Sequence, residues 1–119
     1  MEKSVFERMI EKQFETENGI IAYWVNGSSD QEYALVFLHG LTADHTLFDK
    51  QISHFKERFK VLCWDAPAHG KSRPYENFSY HCAAEHLKKI LEKEQIKKAI
   101  FIGQSMGCLL YTSPSPRDS

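Results

Sequence analysis

The residue with the clearest chemical potential in this sequence is Ser105, which lies in the pentapeptide Gly103-Gln104-Ser105-Met106-Gly107. A serine hydroxyl is a useful nucleophile only when it is exposed, lies beside a base and faces donors for a developing oxyanion. The Gly-x-Ser-x-Gly spacing is the pattern of a nucleophile elbow, a sharp strand-to-helix turn that lifts the serine out of a sheet. The glycines allow close approach of backbone and neighbouring elements. We therefore predict that Ser105 is a nucleophile.

Two other segments place polar residues and glycines directly after apolar runs. His39 and Gly40 follow the run 33–38, and Asp65 begins a loop that contains Gly70 and ends at Ser72. The run 33–38 is continuous rather than alternating, which indicates a strand buried on both faces of a parallel sheet. Sites in such sheets lie at the carboxyl ends of strands. We therefore expect both segments to lie near the nucleophile.

The elements that must position these residues alternate between strand and helix. A hairpin around Asn18-Gly19 is favoured at the start, although the spacing of Phe6, Ile10 and Phe14 also fits a helix. The predicted order is β-β-β-α-β-α-β, which implies right-handed crossovers and a mostly parallel, doubly wound sheet with an N-terminal hairpin. The predicted strands are 12–17, 20–25, 33–38, 59–64 and 96–102, and the helices are 43–58 and 79–94, the second capped by Ser79.

Composition limits the class of protein. The chain has 119 residues, 42% of them hydrophobic, which is enough for at most one domain. Its net charge is −1 and it has no basic block, so the charge implies neither nucleic acid nor an anionic membrane as a partner. Its three cysteines have no paired spacing, which argues against a disulfide framework or a zinc site. The charged N-terminal residues lack an apolar signal core, and we predict a cytoplasmic protein.

Three motifs together resemble the first half of an α/β-hydrolase fold protein of the AB hydrolase-1 type. They are His39-Gly40, the loop 65–72, which is similar to the family's D-x-x-G-x-G-x-S segment, and the pentapeptide around Ser105. The resemblance covers residues 11–107 and implies the N-terminal half of that fold, truncated after the nucleophile elbow. Ala68 departs from the pattern, because the family usually has glycine at that position.

The resemblance implies a role for each matching residue. Ser105 would be the nucleophile, and the backbone N–H groups of Leu41 and Met106 would form the oxyanion hole. The reaction would be hydrolysis of a small-molecule ester, thioester or related acyl compound, as in carboxylic-ester hydrolases, through an acyl-enzyme and without a cofactor or metal. The supporting motif residues would be His39, Gly40, Gly103, Gln104, Gly107, Asp65 and Gly70.

The rest of a catalytic triad is missing from this sequence. In the family the order is Ser, then Asp or Glu, then His, but no histidine follows Ser105 and the one later carboxylate side chain is Asp118. We expect His39 and His69 to belong to their loops, and the other four histidines to be solvated or packed on helices. We therefore assign neither the acid nor the base, and we expect the chain as printed to be inactive.

The composition changes abruptly after Gly107. Residues 108–118 match an in-frame translation of a transposase-type sequencing adapter, and the prolines at 114 and 116 cannot continue a helix. We therefore divide the chain into a partial α/β-hydrolase domain, 1–107, and an artefactual, unstructured tail, 108–119. Without further strands, Ile100 and Ile102 would lie on an exposed sheet edge, and we expect an unstable or aggregating chain.

Several alternatives stay open or are disfavoured. Gly70-Lys71-Ser72 looks like the end of a Walker A loop, but that motif needs glycine where Asp65 stands. A metal site formed by His39, Asp65 and His69 lacks a metal-ligand spacing. A non-catalytic binding member, a non-functional truncated product, and other chemistry on the same scaffold remain alternatives. The sequence identifies neither the substrate nor the oligomeric state.

Overall fold

The computed structural model describes residues 9–26, 33–39, 44–67, 69–73 and 79–103. Within these ranges the chain forms five strands and two helices in the order that the sequence predicts. They are β1 (Ile10–Thr16), β2 (Gly19–Val25), β3 (Ala34–Leu38), α1 (Asp49–Phe55), β4 (Lys60–Trp64), α2 (Tyr80–Lys93) and β5 (Ala99–Gly103). The predicted order β-β-β-α-β-α-β is confirmed.

All five strands belong to one mixed sheet with the order β1-β2-β4-β3-β5. β1 and β2 form the antiparallel hairpin, and β2 also pairs antiparallel with β4. β3 lies between β4 and β5 and is parallel to both. The strands that precede the three predicted motifs are therefore direct neighbours and point the same way.

The hairpin turn lies one residue earlier than predicted. Thr16 pairs with Gly19, so the two-residue loop is Glu17-Asn18 rather than Asn18-Gly19. The Thr16 hydroxyl accepts hydrogen bonds from the backbone N–H groups of Asn18, at 3.0 Å, and Gly19, at 3.1 Å. A threonine side chain that satisfies turn donors in this way shifts the turn toward itself. The predicted strand 12–17 is confirmed over the helical alternative, although β1 extends from Ile10 to Thr16.

The helices cover opposite faces of the sheet. On β3, Val36 and Leu38 belong to the buried cluster that contains Leu87 of α2. Phe37 belongs to a second cluster, on the other face, that contains Ile52 of α1. Alternate residues of a strand point to opposite faces, so the continuous apolar run of β3 supplies both cores. The predicted doubly wound arrangement is confirmed.

The first helix is shorter than the predicted range of 43–58, whereas the second follows its prediction closely. The Asp44 carboxylate accepts hydrogen bonds from the backbone N–H of Thr46, at 3.0 Å, and from its hydroxyl, at 2.6 Å. Such local bonds favour a turn over a helix, and Leu47, expected on the apolar face, is 40% exposed. The Ser79 hydroxyl accepts from the backbone N–H of Cys82 at 3.0 Å, which confirms the predicted N-cap.

β5 forms one edge of the sheet. It begins at Ala99 rather than at residue 96, because the residues directly after α2 still belong to the end of that helix. Gln95 has a φ of 61°, and the N–H of Ile96 donates a hydrogen bond to the carbonyl of Leu91 in the last turn of α2. Ile100 is 47% exposed on this edge, as predicted, while Ile102 is partly buried against the second cluster. No helix in the described ranges has the length and apolarity needed to cross a membrane.

Candidate active site

The carboxyl ends of β3, β4 and β5 bring three of the predicted site residues to one edge of the sheet. His39 follows β3, Asp65 follows β4, and Gly103 is the last residue of β5. Gly103 pairs with Leu38, the residue before His39, while His39 Nε2 accepts a hydrogen bond of 2.9 Å from the N–H of the residue after Asp65. The predicted convergence of these strand ends is therefore confirmed.

The remaining site predictions fall outside the part of the chain that the structure describes, and they stay predictions. The same holds for the departure from the family pattern at position 68. The residues concerned are Gly40, Leu41, Ala68, Gln104, Ser105, Met106 and Gly107.

Asp65 makes hydrogen bonds to two other segments in the described part of the site. Its carboxylate is fully buried. Its Oδ1 accepts a hydrogen bond of 2.7 Å from the N–H of His45 and lies 2.8 Å from the same residue's Nδ1, and its Oδ2 accepts one of 2.8 Å from the N–H of Lys71. Both oxygens are thus used inside the protein. Asp65 therefore links the segments that contain His45 and Lys71.

Gly70 is the residue that lets the loop pack against this carboxylate. Its φ is +48°, in the left-handed region, and a Cβ placed there would lie 2.4 Å from Oδ2 of Asp65. Real Cβ atoms do not approach oxygen so closely, and a side chain is also disfavoured at this φ. The glycine predicted as part of the motif is therefore required by a steric contact with another residue of the motif.

Ser72 attaches the loop to the hairpin. Its Oγ accepts a hydrogen bond of 2.8 Å from the N–H of Ala22 in β2 and donates one to the backbone carbonyl of Asp65. The side chain is fully buried. Because the hydroxyl already bonds to backbone in both directions, it serves the loop rather than a phosphate, and the Walker-type interpretation of Gly70-Lys71-Ser72 has no structural support here.

His39 is buried at the end of β3. It is 1% exposed, and its Nε2 accepts the hydrogen bond from the N–H of Ala66, so this nitrogen carries no proton. The His69 ring lies nearby, with ring centroids 5.3 Å apart. The expectation that His39 and His69 belong to their loops agrees with these contacts.

The sequence did not reveal the contribution of His45. We expected a solvated or packed imidazole at a helix start. The ring is packed, with its centroid 3.9 Å from that of Trp24, but its Nδ1 also lies 2.8 Å from Oδ1 of Asp65, a contact that the sequence did not indicate. These partners lie 21 and 20 positions away in the sequence, so no local spacing marks them. The one available signal was its position shortly after His39-Gly40.

A group of possible metal ligands coincides with this network. One ligand atom each from Asp44, His45 and Asp65 lies within 4.8 Å of the others. However, Oδ1 of Asp44 accepts from Thr46, whose hydrogen bonds lower the pKa of that carboxyl, and Oδ1 of Asp65 accepts from His45. Internal hydrogen bonds account for the arrangement of these groups.

Cys63 is not a competing nucleophile. Burial on β4 raises the pKa of its thiol well above its ordinary value, and the nearby carboxylate of Asp65 adds to the effect. Since the thiolate is the nucleophilic form, a buried neutral thiol of this kind is inert.

Comparison with known sequences places these features in a family. The family model described as alpha/beta hydrolase fold matches residues 33–113. The chain is 34% identical over 85 residues to 3-oxoadipate enol-lactonase 1 of Acinetobacter baylyi, covering 71% of this chain and 32% of that protein. It is 31% identical over 81 residues to the pimeloyl-[acyl-carrier protein] methyl ester esterase of Wigglesworthia glossinidia brevipalpis, covering 68% and 30%.

Solved structures agree on the fold. The Cif epoxide hydrolase from Acinetobacter nosocomialis superposes with a TM-score of 0.74 at 20% identity, over 87% of this chain and 32% of that one. The chain spans about a third of the length of the curated relatives it matches. Because the family match covers more than half of the chain and includes all three strand-end motifs, the chain belongs to the α/β-hydrolase fold family.

Proposed function

We propose that the protein to which this chain belongs is a serine hydrolase that cleaves small-molecule esters, thioesters or related acyl bonds through an acyl-enzyme on Ser105. The observation that carries the proposal is the meeting of His39, Asp65 and Gly103 at the carboxyl edge of β4-β3-β5. Gly103 directly precedes Gln104-Ser105 in the sequence. Two relatives, an enol-lactonase and a methyl ester esterase, are named for ester-type bonds.

In the proposed mechanism Ser105 attacks the substrate carbonyl and the oxygen of that carbonyl becomes an oxyanion. The backbone N–H groups of Leu41 and Met106 would bind it, and loss of one such donor costs about 10²–10³ in kcat in known cases. Met106 would begin a helix, where free N–H groups favour negative charge. A general base of the full-length protein takes the proton of the Ser105 hydroxyl and gives it to the alcohol or thiol as that group leaves. The same base then takes a proton from water, which attacks the acyl-enzyme and releases the acid and the free serine.

We test the proposal on the full-length protein, meaning the product of the intact gene in which this sequence occurs. Wild-type protein should react with a fluorophosphonate probe and hydrolyse p-nitrophenyl acetate. Ser105→Ala should abolish labelling and lower kcat by about 10⁴-fold or more. Cys63→Ala is the matched nucleophile control and should keep both activities, because the thiol is buried in the core.

Either of two results contradicts the proposal. Labelling that persists in Ser105→Ala would place the nucleophile elsewhere. A well-folded wild-type protein that neither reacts with the probe nor hydrolyses the ester would favour a non-catalytic binding member of the family.

We also propose that residues 108–118 are not encoded by the native gene and that the 119-residue chain has no esterase turnover. The adapter match supports the first point, and the absence of a histidine after Ser105 supports the second. A genomic read that continues from codon 107 into the same Cys-Leu-Leu-Tyr codons would refute the first. Turnover by the purified 119-residue chain that Ser105→Ala removes would refute the second.

A further inference from the structure

Two asparagines of the N-terminal hairpin are each followed by glycine in the sequence. Asn18 directly precedes β2, and Asn26 directly follows it. An asparagine side chain is thermolabile, because the next backbone nitrogen can attack its carbonyl carbon and displace ammonia. A following glycine favours this attack, since no Cβ obstructs the approach of the backbone. The local sequence therefore makes both positions candidates for the same modification, deamidation.

The side chain of Asn26 is held by both of its polar atoms. Its Nδ2 donates hydrogen bonds of 2.7 Å to the backbone carbonyls of Lys56 and Phe59, and its Oδ1 accepts one of 2.8 Å from the N–H of Val61. The residue is 8% exposed. To bring Cγ to the next backbone nitrogen, the side chain must rotate and break these bonds away from water, which is costly. The fold therefore protects Asn26.

The side chain of Asn18 is attached much more weakly. The residue is half-buried in the two-residue loop of the β1–β2 hairpin. Within the described ranges, its side-chain amide has one hydrogen-bond contact, from Nδ2 to Sγ of Cys82 at 3.9 Å. Sulfur is a weak acceptor. Rotation of the Asn18 side chain toward the backbone nitrogen of Gly19 therefore breaks no strong bond.

We propose that Asn18 is a deamidation site of the folded protein and that Asn26 is not. The backbone nitrogen of Gly19 loses its proton to solvent and forms a bond to Cγ of Asn18. The bond from Cγ to Nδ2 then breaks, and Nδ2 takes up a proton and leaves as ammonia. Water opens the resulting succinimide at either carbonyl, which gives aspartate or isoaspartate. The new carboxylate lies beside Cys82 in the first turn of α2, where a helix favours negative charge.

Thr16 controls the rate of this reaction. Its Oγ accepts a hydrogen bond of 3.1 Å from the N–H of Gly19, which is the attacking nitrogen, and donates one of 2.8 Å to the carbonyl of the same residue. The bond to the N–H must break before the nitrogen can attack. The Thr16 hydroxyl therefore slows deamidation of Asn18 without blocking it.

The test follows both asparagines in one sample of the full-length protein. The protein is incubated at mildly alkaline pH and digested with pepsin at acidic pH. Tandem mass spectrometry then assigns the mass increase from replacement of NH₂ by OH to residue 18 or residue 26. We expect Asn18 to react at least about 10-fold faster than Asn26, because breaking even one buried hydrogen bond changes a rate by about this factor. In urea, where tertiary protection is lost, the two rates should agree within about 3-fold.

Two variants test the role of Thr16. Thr16→Val keeps the branched shape but removes the acceptor, and it should speed deamidation of Asn18 about 3-fold or more while leaving Asn26 unchanged. Thr16→Ser keeps the hydroxyl and should react at the wild-type rate. A Thr16→Val variant that reacts no faster than Thr16→Ser would overturn this role.

The wild-type protein alone decides the main assignment. Equal rates at the two asparagines in the folded protein would overturn it. An Asn18 that reacts in urea but not in the folded protein would overturn it as well. Faster loss of the amide at residue 18 than at residue 26, found only in the folded protein, would support it, and this outcome does not depend on hydrolase activity.

Discussion

Replacing Gly70 by alanine tests the packing of the strand-end loop most directly. The new Cβ would lie 2.4 Å from Oδ2 and 2.5 Å from Cγ of Asp65, so one of the two groups must move. The carboxylate is buried and bonded to the N–H groups of His45 and Lys71, and it cannot swing away without losing bonds.

The expected cost has two parts. An alanine at φ +48° costs about 1 kcal/mol of the free energy of unfolding. Displacing the Asp65 carboxylate breaks at least one hydrogen bond to a charged acceptor, which adds about 1.5–3 kcal/mol. We therefore expect Gly70→Ala to destabilise the full-length protein by about 2.5–4 kcal/mol, a large share of the roughly 5–15 kcal/mol typical of a domain.

The assay is urea unfolding followed by circular dichroism, with a double-mutant cycle. In an Asp65→Ala background the carboxylate is gone, so Gly70→Ala should cost only its backbone part, about 1 kcal/mol. The difference between the two backgrounds measures the steric contact. Equal costs in both backgrounds, or a cost below about 1 kcal/mol in the wild type, would refute the reasoning.

Further predictions concern the surrounding scaffold. Ser79→Ala should cost about 1 kcal/mol by removing the α2 cap, while Ser79→Asp should not; equal losses would contradict the capping role. Burial opposes the ionisation of Glu94, but hydrogen bonds from Tyr23 and Lys12 lower the pKa of its carboxyl below 4.5. The contribution of the ionised carboxylate to stability is therefore complete above pH 4.5 and is lost as the pH falls through the lowered pKa. Glu94→Gln should therefore flatten the acid limb of a stability–pH curve, and an unchanged limb would contradict this. Burial lowers the pKa of His86 below 6.5, so as the pH falls the unfolded state binds the extra proton before the folded state does. The free energy of unfolding should therefore fall as the pH drops through 6.5, and His86→Gln should suppress this fall in the same titration.

The sequence predicted the order and kind of all the described elements because their signals are local. A continuous apolar run marks β3, and a serine cap marks α2. The predicted bounds were wrong where a side chain bonds to the nearby backbone. The Thr16 hydroxyl shifts the hairpin turn by one residue, and the Asp44 carboxylate holds a turn before α1, so that helix starts later than predicted. Such competition between side-chain and ladder hydrogen bonds is not visible in periodicity.

The site was predictable as a set of motifs but not as a network. The three strand-end segments could be identified, and their convergence follows from the parallel sheet. The partners of Asp65 could not be identified, because His45 lies 20 residues before it and joins it only after β3 and β4 pair. The steric need for Gly70 likewise depends on where the carboxylate points, which is a tertiary fact.

The strand order has a consequence for how the protein is made. β3 is flanked by β4 and β5, and Ala34 pairs with Ala99, which is 65 positions later in the chain. A ribosome adding about 5–20 residues per second needs roughly 3–13 s to cover that distance. During that interval one side of an almost wholly apolar strand has no partner, whereas the β1–β2 hairpin closes at once. The nascent chain should therefore bind holdase chaperones after β3 emerges and release them when β5 does.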